Sequence, residues 1–240
     1  MNFNFDRKTE KTARVRRLLV TALALGCAFG TVNQAAAQKI ASPTTPPLIT
    51  PPAGHSAFLV GHAFGTQGYI CLPKATDPST ASWTVKGARP EATLFLSFFG
   101  QDFQIITHFL SPDANPNSAA PNPLPFGNAT WQSSFDSSKV WAQVPLSNLT
   151  TPPSPAAIPA GSDPSCPNAG SIACLLLQSI GNQQGPTGGK ILAKTTFVQR
   201  LNTKGGSAPD DADGCGTTAN VGNQRLVPYT SDYWFFRKDE

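Results

Sequence analysis

The feature that most constrains the fold is the shortness of the apolar runs, which Gly, Pro, Asn and Asp interrupt repeatedly. These runs are rich in Phe, Val, Ile and Thr, and they cover residues 57–64, 68–72, 82–85, 92–99, 103–110, 129–132, 139–144, 190–201, 224–229 and 232–236. Short strand-like segments with turn residues between them are typical of antiparallel sandwiches and barrels. Helical bundles and doubly wound α/β folds need long amphipathic runs, which this sequence lacks. We therefore predict an all-β protein, an antiparallel β-sandwich or barrel.

Three local patterns refine this prediction. The residues Gly100, Gln101 and Asp102 predict a hairpin turn between two strong strands. The run I-A-C-L-L-L-Q-S-I, residues 172–180, is compatible with one short buried helix, and its length leaves that assignment open. Residues 111–127 and 150–167 are dense in proline and cannot form central strands, so we expect two long, disordered surface loops.

The N-terminal segment has the pattern of a secretory signal. Six basic residues precede an apolar run at 18–29, and Ala35 and Ala37 supply a small-residue cleavage site. The run is shorter than the roughly 20 residues that a membrane-spanning helix needs. We expect residues 1–37 to be a cleaved signal peptide, although an uncleaved anchor and a lipoprotein signal at Cys27 stay open. No transmembrane segment is expected after cleavage.

The rest of the chain divides into a linker and one domain. Residues 38–53 contain five prolines without periodicity, which predicts an extended linker outside the packed domain. Residues 54–240 are long enough to bury a core as a single β domain.

The net positive charge of the chain comes from the predicted signal peptide, residues 1–37. The chain has 18 basic and 14 acidic residues, of which residues 1–37 hold six and two, so 12 of each sign remain after cleavage. A nucleic-acid surface needs an excess of clustered Lys and Arg. Nucleic acid is therefore not an expected partner.

Four cysteines remain after cleavage of the signal: Cys71, Cys166, Cys174 and Cys215. An even number in an exported chain predicts two disulfides, with three possible pairings. We favour Cys166–Cys174, which closes a short polar loop, and Cys71–Cys215 by elimination. A zinc site is the alternative, but neither C-x-x-C spacing nor paired histidines support it. The expected location is extracytoplasmic, either secreted or periplasmic.

Several separated blocks resemble one family of secreted proteins. They are G-T-Q-G-Y-I-C at 65–71, P-E-A-T-L-F at 90–95, V-Q-R-L-N-T-K-G-G-S-A-P at 198–209 and V-P-Y-T-S-D-Y-W-F-F at 227–236. Together they resemble the domain of unknown function 3455. The resemblance implies an exported protein, but it attaches no established reaction to any residue.

The chain departs from that family pattern in three places. A proline-rich segment follows His108, and Ser137 stands where relatives usually carry Gly. Cys174 stands where they usually carry Trp, so the resemblance implies that a Cys166–Cys174 bridge is an addition of this chain.

Catalytic and metal-binding motifs are sparse. The sequence has no G-x-S-x-G elbow and no complete phosphate-binding loop. His62 and His108 lie in predicted strands and could meet to bind a metal, but a single buried histidine is the commoner outcome. The acidic run at 210–214 is interpreted as a solvated turn. We expect no metal and no cofactor.

The remaining pattern is that of a binding surface. Carbohydrate sites combine aromatic faces with planar polar groups, and the candidate residues of both kinds are Gln67, Tyr69, His108, Trp131, Arg200 and Asn202. The competing interpretation is that the aromatic residues fill the core and that Arg200 pairs with Asp232.

Our leading hypothesis is a non-catalytic binding module at the cell envelope or outside, which binds a glycan or another amphipathic surface. One alternative is a secreted hydrolase that uses His108 with a serine or aspartate brought near it by folding. The other is a structural envelope protein. The sequence leaves the oligomeric state open.

Overall fold

The computed structural model describes residues 40–85, 91–111, 127–149 and 154–240, and the predicted signal peptide lies outside these ranges. Within them the chain forms twelve strands and two three-residue 3₁₀ helices, Pro47–Ile49 and Thr218–Asn220, with no α-helix. The strands β1 to β12 are His55–Pro73, Ala81–Thr84, Glu91–Phe98, Gln101–Ser111, Asn128–Ser133, Lys139–Gln143, Leu146–Ser147, Ser154–Pro155, Ala157–Ile158, Cys174–Gln183, Phe197–Gly205 and Gln224–Lys238. The all-β prediction is confirmed. In the described ranges, no helix has the length and apolar character needed to cross a membrane.

Eight of the strands close into an antiparallel ring. Its order is β11-β12-β1-β3-β4-β5-β6-β10, and pairing of β10 with β11 completes the circle. Closure gives each of these strands a neighbour on both sides, which removes the exposed edges of an open sheet. The strand pairing around the ring is irregular, because the register shifts in four of its strand pairs.

The ring encloses the main core. Strand alternation turns every second side chain inward, and the largest fully buried ones there include Trp131, Tyr233, Phe235 and Leu94. Four aromatic residues, Trp131, Tyr229, Tyr233 and Phe235, are buried members of this core. This arrangement matches the competing interpretation given above, in which they fill the core.

A second core covers the outer surface of β10, β11 and β12. Ile49 is fully buried there against Phe197 and Phe236. The Gln199 side chain donates to the Ile49 carbonyl oxygen at 2.7 Å. The prediction that residues 38–53 lie outside the packed domain is therefore wrong for the part around Ile49. Burial of its apolar side chain outweighs the extended preference of the surrounding prolines.

Two further expectations need correction. Residues 172–180 do not form a helix, because most of them belong to strand β10. In this strand Leu177 faces the ring core and Leu176 faces the outer core. A strand buried on both sides lacks alternation and is easily mistaken for a helix. The second proline-rich loop is not disordered where it is described, since Ala156 and Ile158 are buried in the outer core. Residues 112–126 and 150–153 lie outside the described ranges.

Both disulfides have the favoured pairing, Cys71–Cys215 and Cys166–Cys174. The first joins residues 144 apart in sequence and closes one end of the ring. Tyr69 and Trp83 pack around it in a small third core. The second lies in the outer core.

Candidate functional site

His108 and Trp131 lie directly opposite each other on β4 and β5. Their rings stack inside the ring of strands, with centroids 4.3 Å apart and planes 8° apart. The His108 Nδ1 donates to the Thr130 carbonyl oxygen at 2.9 Å, which leaves Nε2 as an acceptor. Burial lowers the pKa of His108 to about 4. The nearby positive charge of Arg200 lowers this pKa further, whereas the hydrogen bond to Thr130 acts in the opposite direction and raises it. The imidazole is therefore neutral at neutral pH.

Three tyrosines complete the polar part of the interior. The Tyr233 ring lies 5.5 Å from that of His108 and 5.6 Å from that of Trp131. Its hydroxyl is hydrogen-bonded to the Tyr229 hydroxyl at 3.1 Å. Tyr69 donates to the Gly206 carbonyl oxygen at 2.6 Å. Burial raises the pKa values of Tyr69 and Tyr229, so both hydroxyls stay protonated.

Arg200 is the cation of this interior. It lies opposite Tyr233 on the adjacent strand, and directly opposed residues share a sheet face, so Arg200 points inward. Its Nε and Nη2 donate to the Ala173 carbonyl oxygen at 3.2 and 2.8 Å. The proposed pairing with Asp232 is wrong, because Asp232 accepts from His62 and Asn202 instead.

The structure thus unites four of the six candidate residues. We name Tyr69, His108, Trp131, Arg200, Tyr229 and Tyr233 the aromatic–guanidinium cluster. Gln67 is buried on the inward face of β1 and donates to the Gly68 carbonyl oxygen at 3.4 Å. Asn202 is exposed on the outside and donates to Asp232.

The geometry around His108 bears on the catalytic and metal alternatives. No serine or aspartate side chain of the described ranges hydrogen-bonds to it, and its one such bond goes to a backbone carbonyl. His62 lies on the outer face of the sheet and cannot share a metal with His108. Within the described ranges no three His, Cys, Asp or Glu side chains are grouped as metal ligands.

A second feature escaped the sequence interpretation. Beyond one end of the ring lies a groove of about 370 Å³, which we name the apolar groove, lined by Leu59, Leu96, Phe98, Phe103, Ile105, Phe135 and Ile191. Phe98 is 59% exposed and Phe135 is 69% exposed. Contiguous apolar patches of this kind on a protein surface commonly mark interaction sites.

The hairpin beside the groove ends in a two-residue turn, Phe99-Gly100. Phe98 pairs with Gln101, and the two turn residues have φ values of 50° and 72°. The turn therefore begins one residue before the predicted position. Such turns prefer Asn-Gly, because a bulky residue at positive φ is strained. Phe99 occupies this position while 90% exposed. The sequence did contain an indication of this exposed apolar tip, because the run F-L-S-F-F at 95–99 lacks the alternation of apolar and polar residues that a half-buried strand shows.

The opposite rim of the groove is held by Asp136. Its carboxylate accepts from the Ile191 backbone N–H at 2.9 Å and from the Ser138 N–H at 3.0 Å. Burial alone would raise the pKa of Asp136, but these hydrogen bonds lower it overall. A Cβ atom at Gly189 would lie 2.3 Å from the Asp136 Cβ, so this approach requires glycine. The contact places Ile191 beside Phe135.

Comparison with known proteins identifies a family, but it finds no individual protein that is similar to this chain. Residues 52–237 match the family model described as protein of unknown function, DUF3455. No curated protein and no solved structure matches the chain.

Proposed function

We propose that this chain, which belongs to the DUF3455 family, is an extracytoplasmic binding module that docks on the interface of a lipid bilayer through its apolar groove. The two disulfides are consistent with an oxidising, extracytoplasmic compartment. The proposed docking is peripheral and reversible, because it uses a few exposed side chains at one end of the ring.

Phe99 is the observation that carries this proposal. Its positive φ costs backbone energy, and its 90% exposure leaves a large apolar ring in water. Asn would remove most of the strain and Gly would remove all of it. Strain that persists together with exposure points to a function for the residue. Phe98 stacks edge-on against it with ring centroids 4.3 Å apart, so the two rings form one apolar tip.

The chemistry of the groove favours a bilayer over a glycan. Its lining consists of Leu, Phe and Ile, which cannot hydrogen-bond sugar hydroxyls. The two aromatic residues expected to stack on a sugar, Tyr69 and Trp131, are buried. Aromatic rings partition well into the membrane interface. At the hairpin tip, residues 96–103, the charged residue is Asp102, whose carboxylate accepts from the Ser97 hydroxyl at 2.5 Å.

Co-sedimentation with phosphatidylcholine vesicles tests the proposal. The unmodified protein should bind, and Phe99→Asn should bind roughly tenfold or more weakly, because a Phe ring contributes about 1.5–3 kcal/mol when it leaves water. Phe99→Asn should fold at least as stably as the parent, because Asn tolerates positive φ.

Leu226→Thr is the matched control, because Leu226 is 65% exposed on β12, where it pairs with Gly68 of β1 and lies outside both the hairpin and the groove lining. Its vesicle binding should equal that of the parent. Retention on an immobilised polysaccharide, without vesicle binding, would refute the bilayer proposal and restore the glycan hypothesis. Equal losses in Phe99→Asn and Leu226→Thr would show general hydrophobic adhesion and would also refute it.

The geometry at His108 supports a non-catalytic role. A general base must reach the proton that it removes, whereas this imidazole is only 4% exposed, and one of its faces stacks on Trp131. A purely structural envelope protein would have no reason to retain a strained, exposed Phe99.

A further inference from the structure

Several hydrogen-bond donors inside the ring lack acceptors. The Trp131 Nε1 and the Ser231 Oγ are buried and have no hydrogen-bond partner among the residues that the structure describes. Their residues are 1% and 3% exposed. Native proteins pair nearly all such groups with protein, water or ligand, so these two exceptions, among five buried unpaired side-chain atoms in the described ranges, need an explanation.

The Tyr229–Tyr233 contact adds a third donor. Of two hydroxyls that share one hydrogen bond, one donates and the other accepts. The accepting hydroxyl still carries a proton, for which the described part of the chain provides no hydrogen-bond acceptor.

These donors belong to side chains on the inward face of the sheet. Tyr229, Ser231 and Tyr233 alternate along β12, so their side chains share the inward face. Tyr233 contacts the Trp131 ring from across the interior. Arg200 lies beside Tyr233 on the next strand and points the same way.

Arg200 brings a positive charge without a counter-ion. A guanidinium has five N–H donors, and the two hydrogen bonds to Ala173 leave the others available. The ion pairs of the described ranges are made by other groups, namely His62–Asp232, Lys74–Asp211 and Lys194–Glu240. Arg200 is also partly exposed, so solvent reaches part of this residue.

We propose that this part of the aromatic–guanidinium cluster is a binding site for a small oxyanion, held by Arg200, the Trp131 Nε1–H and the Ser231 hydroxyl. An oxyanion accepts several hydrogen bonds at once, and a guanidinium matches a carboxylate or phosphate in two parallel bonds. The anion must be small, because the surrounding rings already lie 4.3–5.6 Å apart. The site shares no residue with the apolar groove. The anion proposal can therefore be tested, and rejected, without reference to bilayer docking.

Nuclear magnetic resonance of the disulfide-bonded protein tests this site. The indole N–H signal of Trp131, assigned with Trp131→Phe, is followed while sodium acetate, inorganic phosphate or sodium chloride is added to separate samples. A saturable shift with acetate supports a carboxylate site, and one with phosphate supports a phosphate site. A linear drift that is the same for all three salts overturns the proposal.

Two variants connect the shift to the donors. Ser231→Ala removes one donor without removing packing, so acetate or phosphate affinity should fall about tenfold or more, as for one hydrogen bond to a charged group, while the free protein stays as stable or becomes more so. Arg200→Gln should abolish saturation, whereas Arg237→Gln, at a partly buried arginine near the other end of β12, should leave it intact.

A saturable shift that survives in folded Arg200→Gln would overturn the proposal. If that variant does not fold, Ser231→Ala decides, because an unchanged affinity there contradicts a role for its hydroxyl.

Discussion

The apolar groove and the aromatic–guanidinium cluster are built on shared strands, yet they use aromatic side chains in opposite ways. In the cluster, His108, Trp131 and Tyr233 bury one another inside the closed ring. In the groove, Phe98 and Phe103 remain half in water. The position of a ring relative to the closed part of the sheet, and not its chemical type, decides between core and surface.

Strand pairing explains this difference. β3 pairs with β1 from Glu91 to Phe95, and beyond that point it pairs with β4 alone. β4 likewise pairs with β5 only from Ile106 onward. The hairpin tip therefore extends past the ring, where no opposing strand of the described ranges covers its inward face. An apolar sequence in such an extension remains exposed unless it binds something.

The largest expected effect comes from the disulfide that closes the cluster end of the ring. Replacing Cys71 and Cys215 by Ser should lower the free energy of unfolding by about 5 kcal/mol, because the bond closes a long loop. The matched pair Cys166→Ser and Cys174→Ser should cost about half as much, because its loop is short. Urea unfolding monitored by fluorescence measures both. Equal losses would contradict the loop-entropy explanation.

Truncating one ring in each region tests the comparison directly. Trp131→Ala should cost about 3–5 kcal/mol, the usual range for a buried Trp. Phe135→Ser should change stability by about 0.5 kcal/mol or less, as at most exposed positions. Denaturant midpoints give both values. A cost above about 2 kcal/mol for Phe135→Ser would mean that the groove belongs to the core.

Between about pH 6.5 and 4, the pH dependence of stability should come mainly from His108 in the cluster, because the lowered pKa of Asp136 at the groove rim takes effect mostly at lower pH. The folded pKa of His108 is about 4, below the value near 6.5 expected in the unfolded chain. The unfolded state therefore binds more protons between these values, and stability falls as the pH drops from about 6.5 to 4, by about 3 kcal/mol in total. Unfolding at a series of pH values measures the slope. His108→Gln should flatten it, and an unchanged slope would contradict a buried neutral imidazole.

A small stabilising effect is expected at the turn that follows Phe135. Ser137 has a φ of 58°, a conformation that glycine adopts without strain. Ser137→Gly should therefore raise the thermal midpoint by a few degrees, in line with about 0.5–1 kcal/mol. Ser134→Gly, in the same segment but without positive φ, is the control and should not stabilise the protein.

Much of the fold was predictable because its signals are local. Turn residues and short apolar runs define most strands, and a short polar loop indicates the Cys166–Cys174 pair. The strand at Leu176 and Leu177 was missed, because burial on both faces erases the alternation from which a strand is recognised. The burial of Ile49 was missed because it depends on Phe197 and Phe236, which are distant in sequence.

The site was predictable in composition but not in arrangement. Tyr69, His108, Trp131 and Arg200 were identified as residue types, and folding brings them together, but inside the ring. Phe99 was assigned to a strand, although it occupies the turn. Which aromatic residues face water depends on where each strand gains its second neighbour, and that is a property of register, which one strand's sequence does not contain.

The most direct test of surface docking places a fluorescent reporter at the hairpin tip. Phe99→Trp keeps an aromatic ring there, and most native tryptophans contribute little change, because Trp83, Trp131 and Trp141 are buried. With phosphatidylcholine vesicles, we expect a blue shift of the new emission and its quenching by brominated acyl chains. Unchanged emission at saturating vesicle concentration would show that the tip stays in water, which would contradict the proposed role of the apolar groove.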